Sequence, residues 1–198
     1  MKKEILLACV ASLIIASCVK SLYPLTENTK DIVFKKELLG RWKDPKENTE
    51  YFIDSVTTTE GIKYKVMVVE RKADNARPDT NNFVVMLVNI QGHYFLDCIA
   101  DINQPSYSDI GEQNMSLLLP AHFILKVYGI GQDYLSMSSI DKDALSLLLQ
   151  NKKIAIRHED LSKDDILLTE KPATLQEKLM ELEKFPGVFK KDSLIRMK

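Results

Sequence analysis

Short β-rich runs separated by turn residues fill the middle of the chain, and this recurrence restricts the fold more than any other feature. Glu50-Tyr51-Phe52-Ile53-Asp54 and Lys63 to Val69 are two such runs, divided by a turn around Thr57 to Gly61, and in the second Tyr64, Val66 and Val68 share a face. Phe83 to Val88 is continuously apolar, as a central strand requires. After Asn89-Ile90-Gln91-Gly92 it is answered by His93 to Cys98, which predicts a hairpin. Phe123, Leu125 and Val127 alternate with Ile124, Lys126 and Tyr128. Gly129 to Asp133 then turns the chain into Tyr134-Leu135-Ser136-Met137-Ser138, a second hairpin.

Helical spacing appears only late. Asp141 is placed to cap a helix with Ala144, Leu145, Leu148 and Leu149 on one stripe. Thr174-Leu175-Gln176-Glu177 has the capping-box pattern, with Leu175, Leu179 and Leu182 behind it until Phe185-Pro186-Gly187. Ile166-Leu167-Leu168 reads as one more short strand. The expected fold is mainly β with late helices (α+β): a curved antiparallel sheet or closed barrel of about seven or eight strands plus two helices. With 198 residues, 45% of them hydrophobic, the chain is long enough to hold one such domain by its core.

The N-terminus has its own pattern. Lys2 and Lys3 precede an apolar stretch from Ile5 to Ala16, too short for the roughly 20 residues that span a bilayer but matching a secretory signal. Ile15-Ala16-Ser17-Cys18 then reads as a lipobox, in which cleavage leaves Cys18 as an acylated N-terminus. The expected organisation is a signal peptide over 1–17, a lipidated N-terminus and tether over 18–37, from which Tyr23, Ile32, Val33 and Phe34 can dock on the domain, and a β-rich domain over 38–198. Such a protein sits in the cell envelope, on the outer membrane of a diderm bacterium, with the membrane as partner through its lipid. Losing residues 1–17 removes two lysines and one glutamate, so a net charge of −1 becomes −2, and no basic face is left that would bind nucleic acid. Of three cysteines, Cys9 falls in the signal and Cys18 carries lipid, which leaves Cys98 alone with no disulfide framework.

Catalytic signatures are missing: there is no G-x-S-x-G, H-E-x-x-H, phosphate-binding glycine loop or paired C-x-x-C. Gly129-Ile130-Gly131 is a turn. The acidic residues Glu159, Asp160, Asp164 and Asp165 lack the spacing of a calcium loop, so no metal and no cofactor is expected. His122, where an irregular segment enters a strand, and Asp97, after Tyr94-Phe95, are the candidate polar site. A structural hydrogen bond is the plainer role for His122, and a hydrolytic one the alternative. Trp42, the single tryptophan, reads as an anchor of the core.

Gly40-Arg41-Trp42 after Leu38-Leu39 resembles the G-x-W element that opens lipocalins, which implies a lipocalin-like barrel with the indole plugging one end. Ser21-Leu22-Tyr23-Pro24-Leu25, Leu39-Gly40-Arg41-Trp42, Tyr94-Phe95-Leu96-Asp97, Leu119-Pro120-Ala121-His122-Phe123 and Leu168-Thr169-Glu170 together resemble a group of bacterial lipoproteins of the Bacteroidetes type that carries no assigned activity. The sequence thus points to a lipid-anchored binding module rather than an enzyme. A small hydrophobic ligand is expected in a pocket near Met137, with Ser136 and Ser138 giving room and Trp42 closing it. A structural or assembly scaffold for another envelope protein is the alternative, and a hydrolase using His122 the third reading.

Overall fold

The computed structural model describes residues 19–71, 78–101 and 120–198. The signal segment and Cys18 lie outside the described residues. After a short strand β1 (Val19–Ser21) and a two-residue strand β2 (Ile32–Val33), seven strands follow as an antiparallel meander. They are β3 (Gly40–Lys43), β4 (Thr49–Thr58), β5 (Gly61–Glu70), β6 (Asp79–Ile90), β7 (His93–Ala100), β8 (His122–Ile130) and β9 (Tyr134–Ile140). The last strand, β12 (Phe189–Arg196), inserts between β9 and β3, so the eight close into an antiparallel barrel. The fold is thus the mainly β, lipocalin-like barrel with two helices.

Both expected hairpins form. β6 and β7 pair from Phe83 opposite Ala100 to Ile90 opposite His93, and the two-residue turn has positive φ at Gln91 and Gly92, the backbone that a twisted hairpin demands. β8 and β9 pair from Leu125 opposite Ser139 to Ile130 opposite Leu135, with a bulge between Val127 and Gly129. Inside the barrel, Tyr64, Val66, Val68, Phe83, Val85, Leu87, Leu96, Leu125, Val127, Leu135, Met137 and Leu194 form one core.

A second core lies outside the barrel wall, and it changes the expected division of the chain. Residues 19–37 are no tether. β1 pairs in parallel with β11 (Ile166–Leu168) and antiparallel with the start of β8, and Val19, Ser21, Leu25 and Thr26 are buried. β2 lies along the end of β6. Docking through Ile32 and Val33 fits the apolar residues there, but the pairing of Val19–Ser21 has no signal, because a three-residue strand flanked by turns has no periodicity to read. β8 serves two neighbours on one edge: its first residues take β1 and its remainder takes β9.

Helix α1 (Lys142–Gln150) and helix α2 (Pro172–Leu182) cover this outer core with Leu145, Leu175, Leu179 and Leu182, against Val88, Ile90, Phe95 and Ile124 of the wall. Asp141 caps α1 as expected, its carboxylate accepting from the Ala144 N–H at 2.9 Å. α2 begins earlier than the capping-box pattern implies. Pro172, whose fixed φ suits the first helical position, starts it after Lys171, and Thr174 lies inside the helix. The strand expected over 166–168 exists, but outside the barrel, next to β10 (His158–Asp160).

Candidate functional site

One end of the barrel is shut by side chains that the sequence sets far apart. Trp42 is fully buried, and its indole N–H donates to the Leu38 carbonyl at 2.9 Å, tying the indole to the 3-10 turn Lys36–Leu38 just before β3. The guanidinium of Arg196, at the end of β12, lies 4.1 Å from the Trp42 ring centroid and donates to the carbonyls of Glu37, Leu39 and Gln132. Gly40 has φ +121°, which favours glycine, and a Cβ there would sit 2.7 Å from Arg196 Nη1 and push the guanidinium from its place.

Above this plug the interior is full. Met137 points inward with Leu135, among Leu38, Tyr51, Tyr64, Leu125 and Leu194, and the space left in the barrel is about 20 Å³, room for little more than one water and lined by apolar groups. Ser136 and Ser138 do not contribute to it. Strand side chains alternate, and the inward parity of β9 belongs to Leu135 and Met137, so both serines face the outer wall, where Ser136 Oγ donates to the Asp192 carbonyl at 3.4 Å and Ser138 Oγ to the Ser139 carbonyl at 3.1 Å. Trp42 and Met137 thus belong to the barrel interior, while the two serines lie on the far side of its wall. Cys98, also inward, is fully buried, and burial together with the nearby Asp97 pushes its thiol well above the usual range, so it is a poor nucleophile.

The other expected pair does come together. Asp97 on β7 and His122 on β8 share the outer face of the wall, and Asp97 Oδ1 accepts from His122 Nδ1 at 2.6 Å. The second oxygen of Asp97 accepts from the Leu25 N–H at 2.8 Å, and the Leu25 carbonyl in turn accepts from Gln176 Nε2 of α2 at 2.8 Å. Asp97 is 1% exposed, so this carboxylate joins barrel, N-terminal segment and helix in one buried knot. A carboxylate holding Nδ1 is also how a general base is oriented. The hydroxyl nearest in register, that of Ser21 opposite His122, is engaged in its own turn: it donates to the Tyr23 carbonyl at 2.7 Å and accepts from the Tyr23 N–H at 3.2 Å.

Sequence reasoning passed over a third arrangement. On the outer wall Glu183, just past α2, takes Lys126 Nζ at 2.8 Å and His93 Nδ1 at 3.0 Å. Lys126 lies 4.7 Å from the Tyr128 ring centroid and Lys191 lies 5.3 Å from it, and burial with the neighbouring Glu183 raises the Tyr128 phenol. Beside it Tyr134 packs on Gly129 and Gly131 and pairs in register with Ile195; Tyr128, Tyr134 and Ile195 are each about half exposed, at 44%, 52% and 47%. The strand alternation that puts Tyr128 opposite to Val127 carries its signal, but nothing in the residue order marks the partner strand β12.

Among the described residues no group of three His, Cys, Asp or Glu side chains is placed to hold a metal ion, and no helix is long and apolar enough to cross a membrane. The closed β-barrel is compatible with a ligand-binding module. Comparison of the chain with family models, with curated proteins and with solved structures finds no match in any of the three.

Proposed function

We propose that this protein is a lipid-anchored module of the bacterial cell envelope that binds its partner on the outside of a filled barrel and so serves assembly rather than transport or catalysis. The observation that carries this reading is the interior of about 20 Å³, against the several hundred that a drug-sized ligand occupies. The half-exposed Tyr128, Tyr134 and Ile195, flanked by lysines, supply the kind of aromatic surface that protein partners use. The Asp97–His122 pair serves as a clasp for the N-terminal segment. The second reading, a carrier of a small hydrophobic molecule, rests on the wholly apolar lining and on Met137, whose unbranched side chain repacks readily.

A titration decides between the two. A fluorescent fatty acid added to the folded protein should show no saturable one-to-one binding. Saturable binding that Leu135→Trp abolishes without loss of fold would overturn the filled-barrel reading in favour of the carrier.

A further inference from the structure

Two lysines on the barrel surface are held in place by aromatic rings instead of carboxylates. Lys35 Nζ lies 4.7 Å from the centroid of the Tyr94 ring, and Lys191 Nζ lies 5.3 Å from that of Tyr128. Among the described residues neither ammonium has a carboxylate partner, in contrast to Lys126, which Glu183 neutralises at 2.8 Å. A ring face positions an ammonium without cancelling its charge, so both cations are placed and still able to take an anion.

A surface cleft lies between them. It holds about 260 Å³, separates the segment that enters β3 from the paired strands β7 and β8, and is lined by Lys35, Tyr94 and Tyr128 with apolar Val127 and Ile130. Gly129 also lines it, and Tyr134 packs on Gly129 and stands opposite Ile195, so the cleft continues into the half-exposed Tyr134 and Ile195. From Tyr128 on β8 across β9 to Ile195 on β12 is two inter-strand spacings, about 10 Å, the length of three extended residues. The unpaired charge around this surface favours cations: Lys35, Lys191 and Lys43, the register partner of Ile195, against Glu37 on the cleft and Asp133 before Tyr134.

We propose that this surface takes a short, extended, acidic segment of a partner protein: an apolar side chain enters the cleft against Val127 and Ile130, and carboxylates on either side of it meet Lys35 and Lys191. The inference rests on the outer-surface reading of the function and adds the partner's chemistry to it. Separated carboxylates fit and a continuous polyanion does not, because Glu37 and Asp133 stand in the same surface and repel a dense run of negative charge.

The test is an NMR titration of the isotope-labelled full chain with three capped peptides, Glu-Leu-Leu-Glu, Gln-Leu-Leu-Gln and Lys-Leu-Leu-Lys. The Glu peptide should shift the amides of Tyr94, Tyr128 and Gly129 saturably. It should bind roughly fivefold more tightly than the Gln peptide, the gain expected of two partly exposed ion pairs, and the Lys peptide should bind least. High salt should narrow these differences. In the double variant Lys35→Glu, Lys191→Glu the order should reverse, with the Lys peptide binding best, and that reversal itself reports a folded surface. Lys191→Gln, at an exposed side chain, should by itself reduce the preference for the Glu peptide. Equal affinity for the Glu and Gln peptides would overturn the acidic-segment inference and leave the outer surface as a binding site. No shift at these amides with any of the three peptides would overturn both.

Discussion

Arg196 lies over the indole of Trp42 at 4.1 Å, joining the last strand of the barrel to the first. Its three guanidinium nitrogens donate to the Glu37 and Leu39 carbonyls on the stretch entering β3 and to the Gln132 carbonyl of the β8–β9 turn, so one side chain ties two separate segments to the end of β12. Charge-assisted hydrogen bonds contribute about 1.5–3 kcal/mol each at most and a cation over an aromatic ring about 0.5–2 kcal/mol, with part of both offset by the ordering of the long side chain. Arg196→Ala should therefore lower unfolding free energy by roughly 2–4 kcal/mol. Arg196→Lys should recover little, since a single ammonium cannot reproduce the planar fork. Gly40→Ala should also destabilise, by about 1–3 kcal/mol, through its left-handed φ and the Cβ that displaces Arg196. Urea unfolding of the three variants measures this, and a wild-type midpoint for Arg196→Ala would refute the latch.

Replacing Asp97 and replacing His122 should have unequal effects. Asp97→Ala removes the acceptor of the buried Leu25 N–H and of His122 together, which should cost roughly 3–5 kcal/mol. His122→Gln keeps a donor and should cost about 1 kcal/mol. Proteolysis offers a second readout: in Asp97→Ala the segment around Leu25 should become cleavable before the barrel unfolds. Equal effects would mean that the pair, and not the three-way knot, is what matters.

The strands that make up most of the barrel wall were legible from residue order, because alternating Val, Leu and aromatic residues can bury only one face of a strand and Gln91-Gly92 can do little but turn. The closing strand was not. Phe189-Lys190-Lys191-Asp192-Ser193-Leu194-Ile195-Arg196 buries Leu194 alone and packs Phe189 only partly on the outer core, and the rest of its contribution is backbone pairing with β9 and β3 and the guanidinium at its end, none of which the residue order marks. β1 was hidden for a similar reason: its three residues are held by parallel pairing to a strand nearly 150 positions away. Asp97 and His122 could be singled out as polar residues bordering apolar runs, but that they touch depends on the β7–β8 register, which places His122 diagonal to Asp97. Ser136 and Ser138 cannot share the interior with Met137. Strict alternation forbids Met137 and its two neighbours from facing inward together.

Two glutamates near the start of β4 should respond to pH in opposite senses. Hydrogen bonding to Arg71, assisted by Arg41, holds Glu50 below the ordinary carboxylate value of 4.5, so its stabilisation is present above 4.5 and is lost as pH falls through the lowered value. Burial, then the nearby Asp44, Glu70 and Asp192, raise Glu47, so its contribution is present below 4.5 and is lost as pH rises through the raised value. Glu47→Gln should thus raise the melting temperature at neutral pH, with the gain vanishing in acid. Glu50→Gln should lower it at neutral pH and flatten the acid limb. Thermal scans from pH 3 to 8 test both signs, which would be wrong together if the stretch 44–50 were open in solution.

Acylation of Cys18 predicts that a labelled fatty acid fed to a competent bacterial host tags the wild type and not Cys18→Ala, and that the variant leaves the membrane fraction. Each buried CH₂ contributes about 0.8 kcal/mol, so two or three chains hold the body almost permanently. An untagged wild type would remove the anchor.

The filled barrel makes its own prediction. Leu125 is fully buried at the centre of β8 and lines the residual space, so Leu125→Ala removes three methyl-sized groups from a site whose neighbours are strands pinned by hydrogen bonds on both sides. Such a wall relaxes little, so the cost should lie toward the upper part of the usual range of about 2–5 kcal/mol for Leu→Ala. The enlarged hole, lined by Tyr64, Val85, Leu96 and Met137, should stay dry and admit a small apolar guest. Benzene or xenon should then raise the melting temperature of Leu125→Ala and leave that of the wild type unchanged, because a guest stabilises only a folded state with room for it. A wild type that gains as much as the variant would show that the barrel already opens to ligands, and the carrier reading would replace the assembly one.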